Sequence, residues 1–133
     1  MEKTNFFDLH PPVSVINSKL GKVFFYEDFV VSQFNEGITL SYKNGLPLLM
    51  KGLKIVGTKP FFYISYRKYS YSLVPTDYKF LGKIPNLKAL AIVYPRSRRI
   101  QSVGYEGLFL EKPMQEFSNF QEAYVWGKEM LLK

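Results

Sequence analysis

No cysteine occurs in the 133 residues, and His10 is the only histidine. Without cysteine there is no disulfide framework, thiolate zinc site or thiol nucleophile. A lone histidine excludes a multi-histidine metal site within one chain. A Ser-His-Asp triad would have to draw on His10, in the N-terminal segment where chains are least tied down. Long apolar runs are also missing, and nothing approaches the roughly 18 to 20 residues of a membrane-spanning helix. The opening MEKTNFFDLHPPV has acidic residues and Pro11-Pro12 where a secretory leader would have an apolar core. The cytoplasm is the expected location. Neither a GxGxxG nor a Walker pattern is present, and Gly104-Tyr105-Glu106-Gly107 reads as glycines for helix packing. Carboxylates number 11, and no pair stands out as acid and base. Asp77 falls in the first turn of a short helix, where a carboxylate stabilises the dipole. These absences argue against an enzyme and against a resident cofactor or metal.

Aromatic residues, by contrast, are plentiful at 17%, with 12 Phe, 10 Tyr and one Trp. Such residues favour strands and half-buried surfaces, so packing is the first use expected of them and ligand stacking the second. The net charge is +7 and the pI near 9.5. Lysines are scattered along the chain and only RSRR, Arg96 to Arg99, is a cluster. That distribution implies a solvated basic surface rather than a nucleic-acid footprint.

Hydrophobic periodicity orders the chain into alternating elements. Residues 1–13 read as an irregular lead-in, and 14–133 as one domain. The run KVFFYEDFVVSQFNEG predicts an antiparallel hairpin, with Glu27-Asp28 in its turn. From Thr39 to Gly57, apolar residues at Tyr42, Leu46, Leu49, Met50, Leu53 and Val56 make a helical stripe. Thr39 or Ser41 is its N-cap and Gly57 its stop, with a late start or a kink near Leu46 because of Pro47. FFYISY is an interior strand, Pro75 opens a short helix that ends before Pro85, and LKALAIVYP is a second buried strand. A helix over residues 97–110, a strand at Met114 to Phe117 and a terminal helix complete the order. Ser118 with Gln121, or Asn119 with Glu122, gives that last helix its capping signature. The reading is α/β: a mainly parallel sheet, an N-terminal antiparallel hairpin and helices from right-handed crossovers.

Three stretches carry a family resemblance: YEDFVVSQFNEG at Tyr26 to Gly37, ISYRKYSYSLVPTDY at Ile64 to Tyr78, and PMQEFSNFQEAYVWG at Pro113 to Gly127. Together with the element order they resemble the SpoIIAA-like fold of STAS domains, which is distantly related to the lipid-binding CRAL-TRIO group. The specific similarity is to small stand-alone STAS-like proteins of Bacteroidetes bacteria, over about residues 20 to 132. The resemblance implies a non-catalytic regulatory module that binds a partner protein. Its relatives also suggest a small ligand, lipid or nucleotide, as the alternative. In anti-sigma-factor antagonists the regulatory serine follows the central strand, where the next helix begins; the matching segment here reads YSYSLVP.

That junction holds the candidate site. A phosphate on Ser72, or secondly on Ser70, would meet the positive end of the helix expected at Pro75. Arg67 and Lys68 would add charge pairing. Arg67 and Arg96 each follow a parallel strand, so both belong at the C-terminal edge of the sheet, where open α/β sheets bind ligands. Arg67, Tyr71, Ser72 and Arg96 are therefore the expected partner- or ligand-binding residues. A plainer reading stands beside this one: Tyr and Ser after a strand also serve to cap the next helix and cover the sheet end.

Overall fold

Tight turns order the start of the domain. The computed structural model describes residues 11–69, 72–74, 78–94 and 110–133. Strands β1 (Ser14–Asn17), β2 (Gly21–Phe25) and β3 (Phe29–Phe34) form an antiparallel meander. Ser18 and Gly21 close the first turn through reciprocal backbone bonds of 2.9 and 3.2 Å. Gly21 has φ +144°, and a Cβ there would fall 2.5 Å from the Gln33 carbonyl oxygen. Only glycine fits. The β2–β3 turn is the one expected at Glu27-Asp28, held by the Tyr26 N–H donating to the Phe29 carbonyl at 2.9 Å. β1 adds to the expected hairpin. Its four residues are too few to show a period, and pairing with β2 is what orders them.

After the two-residue strand β4 (Thr39–Leu40), helix α1 spans Tyr42–Val56. The Ser41 N–H donates to Asn44 Oδ1 at 2.9 Å, and Asn44 Nδ2 donates to the Thr39 carbonyl at 2.7 Å. Gly57, at φ +66°, ends the helix with its N–H on the Leu53 carbonyl. Both ends agree with the sequence reading. The helix nevertheless begins ahead of Leu46 and continues through Pro47. Pro47 gives up one bond, the one its missing N–H would make to Lys43, and packing of the apolar stripe on the sheet compensates.

Next come β5 (Phe61–Tyr66), β6 (Ser72–Leu73), α2 (Tyr78–Gly82), β7 (Leu87–Val93), β8 (Met114–Phe117) and α3 (Phe120–Leu131). The main sheet has six strands in the order β1-β2-β3-β5-β7-β8, antiparallel through β3 and parallel from there on. This is the mixed α/β sheet the sequence predicts. Strands β4 and β6 pair in parallel as a separate two-stranded sheet. The helix expected over 97–110 falls almost wholly outside the described residues, as do positions 75–77. For α3 the cap is Asn119, whose Oδ1 accepts from the Glu122 N–H at 2.9 Å.

Strand order advances in one direction, so crossovers of a single hand place α1 and α2 on the same face. Alternation then sorts the side chains. Phe29, Val31, Phe62, Ile64, Ala91 and Val93 pack toward α3. Val23, Phe25, Val30, Phe34 and Phe61 pack toward α1 and α2. On the α3 face Phe29 stacks between Tyr26 at 4.2 Å and Phe62 at 5.1 Å, with Tyr124 edge-on at 5.4 Å. Lys128 ties α3 to the β2–β3 turn through Asp28 at 2.6 Å. Much of the aromatic excess is core.

Candidate functional site

The α1 face is less completely filled. Between the sheet and helices α1 and α2 lies a partly open cavity of about 150 Å³. Its walls are Val23 and Phe25 of β2, Val30 and Phe34 of β3, Phe61 of β5, Leu49 and Leu53 of α1, and Phe80 of α2. Leu40 of β4 and Val74, next to β6, line it as well. The stripe of α1 thus does two jobs: it packs on the sheet and encloses the cavity. Among the lining residues are Ser32 and Tyr63, whose hydroxyls bond each other at 2.6 Å. A carbon-lined space of this order is large enough for a benzene-sized guest. Drug-sized ligands need about 300 Å³ or more. The cavity accordingly suits one ring or a short acyl chain.

A buried cation stands behind this wall. Ser32 pairs with Ser65 across β3 and β5. Ser65 Oγ accepts from Arg67 Nε at 3.0 Å, and Arg67 Nη1 donates to Tyr94 Oη at 3.4 Å. The Arg67 backbone N–H donates to the Val93 carbonyl at 2.8 Å, extending the β5–β7 ladder. Arg67 is only 5% exposed. The sequence reading puts it among cations poised at the sheet edge; the structure folds its side chain back into the core. Burial removes a charge from water at a cost of several kcal/mol, so its hydroxyl contacts are needed there. Near the same cavity, Lys112 donates to the carbonyls of Ile84 and Leu87. Desolvation, with Lys88 second, lowers its pKa below the usual lysine value.

Of the other expected site residues, Ser70, Tyr71 and Arg96 lie outside the described residues. Ser72 belongs to β6, where its Cα partner is Thr39. Helix α2 is described from Tyr78, and positions 75–77, where the expected cap would meet its helix, lie outside the described residues. Ser32, Tyr63, Ser65 and Tyr94 were not singled out by motif. Their signal is weak but real: Ser32 and Ser65 interrupt apolar strands at positions that alternation points inward. Among the described residues, no group of three or more His, Cys, Asp and Glu could hold a metal ion. None of the described helices is long and apolar enough to cross a membrane.

No family model matches the chain, and no curated protein or solved structure matches it significantly.

Proposed function

We propose that the chain is a non-catalytic, cytoplasmic module that binds a small apolar ligand between its sheet and helix α1. The observation that carries this reading is the carbon-lined cavity of about 150 Å³. Its size favours a single ring or short chain over a nucleotide or a full-length lipid tail. The test is thermal unfolding of the full chain with toluene, hexane and a sixteen-carbon alkane. A ligand at a hundredfold excess over its Kd adds about 2.7 kcal/mol, which moves Tm by several degrees. Toluene and hexane should raise Tm and the long alkane should not. No shift with any of them would refute the reading.

A second reading makes the chain a STAS-like regulatory module that binds a partner protein. An antiparallel start followed by parallel strands favours it, although fold alone does not carry function. The two readings are compatible. A ligand under α1 would stiffen a helix whose Met50 and Ile55 are 51% and 37% exposed, so its surface could report occupancy to a partner. If extracts of the native cell yield no specific partner in any growth state, with or without ligand, the partner reading fails.

A further inference from the structure

We propose that the solvent-facing side of α1 and α2 docks on an anionic lipid bilayer. The lysines, scattered in sequence, gather in space. From Gly37 to Tyr105 the chain carries twelve Lys and Arg and a single acid, Asp77, while the flanking segments hold ten acids and six such cations. The fold turns that split into two unlike sides. Lys43, Lys51 and Lys54 of α1 and Lys79 of α2, with Lys83 just beyond it, are all exposed, and neither helix contains an acid. Across the sheet, α3 contributes the exposed Glu122 and Glu129, and its Lys128 is paired with Asp28. Soluble surfaces ordinarily intersperse the two signs, and a one-sided field draws a partner of opposite charge. Apolar residues decide between anionic partners. At 3.6 residues per turn, Lys43, Met50, Lys51 and Lys54 fall within about 100° of arc on α1. Met50 is 51% exposed among these cations, and Ile55, one turn beyond Lys51, is 37% exposed. A phosphate backbone offers an exposed methionine nothing to bury it in, whereas bilayer headgroups lie directly over hydrocarbon. Each lysine near an anionic membrane surface adds about fivefold in affinity, and Met50 and Ile55 add apolar contact. Docking of this kind is peripheral and reversible, and it does not depend on the cavity being occupied.

Flotation of the full chain with vesicles tests this directly, using phosphatidylcholine alone or with phosphatidylserine as one third of the lipid. At near-physiological salt the chain should float with the anionic vesicles and not with the neutral ones, and high salt should release it. Lys51→Gln and Lys54→Gln should each weaken binding about fivefold, and Met50→Ser should weaken it as well. The Lys51→Gln/Lys54→Gln pair should still bind toluene, which keeps docking separate from the cavity. Lys19 lies in the β1–β2 turn, and Lys22 alternates with Val23 and so faces the α3 side. Lys19→Gln/Lys22→Gln removes the same net charge away from the basic side and should leave vesicle binding nearly unchanged. Equal losses in the two double variants would reduce the effect to net charge and overturn the proposal. Equal binding to neutral vesicles, or binding to neither kind, would overturn it too. If a DNA duplex displaces the anionic vesicles and its own binding ignores Met50→Ser, the basic side is a nucleic-acid surface and the bilayer proposal falls.

Discussion

Ser32 and Tyr63 join their hydroxyls at 2.6 Å across β3 and β5, in a wall built mostly of carbon. Removing either partner takes this bond from the other, so Ser32→Ala or Tyr63→Phe should each cost about 0.5 to 1.5 kcal/mol. The double variant should cost less than the two together, with a coupling of about 0.5 to 1.5 kcal/mol. Urea unfolding of the four proteins measures it. Strict additivity would mean that the pair does not act as a unit.

Two glycines make the same kind of contact and should respond differently. A Cβ at Gly127 would lie 2.2 Å from the Phe62 ring, and one at Gly52 would lie 2.6 Å from the Phe25 ring. Phe62 is fully buried beneath Phe29 and Tyr124 and has nowhere to go. Phe25 borders the cavity and can shift into it. Gly127→Ala should therefore destabilise by about 1 to 3 kcal/mol despite alanine's better helix propensity. Gly52→Ala should cost less and weaken toluene binding as the cavity shrinks. Equal losses of stability would contradict the difference in room.

What could be read beforehand divides along the same physical line. LKALAIV and the Asn119–Glu122 cap are local signals, and both stand in the structure where the residues place them. Strands β4 and β6 have two residues each and exist only by pairing with one another, so nothing local announces them. The α1 stripe was legible, but not that it encloses a cavity. Arg67 was legible as a residue at a strand end; the turn of its side chain toward Ser65 and Tyr94 depends on the β5–β7 register. Ser72 is described in β6, and positions 75–77, between it and the described start of α2, lie outside the described residues.

Asn119 offers a direct check on the terminal helix. Its side chain accepts the Glu122 N–H at 2.9 Å, so Asn119→Ala should lower stability by about 1 kcal/mol. Asn119→Asp should keep the bond. A loss of equal size in both variants would point to a role other than capping.

Burial raises the Tyr26 phenol from 10.0 to about 12. Between those values the unfolded chain has released this proton while the folded chain keeps it. Stability contributed by the neutral phenol is complete below pH about 10 and falls as pH rises toward 12. Denaturant midpoints measured across that window should decline, and Tyr26→Phe should flatten part of the decline. An unchanged slope in Tyr26→Phe would remove Tyr26 as the cause.

Occupancy of the α1 cavity is tested most directly by locating a guest at atomic detail. Methyl-labelled chain titrated with toluene should show saturable shifts at Val23, Leu49, Leu53 and Val56, all of which line the cavity. Val93 and Ala123, buried on the opposite face toward α3, should stay fixed. Shifts confined to the α3 face, or none at a saturating concentration of toluene, would contradict ligand binding between the sheet and α1.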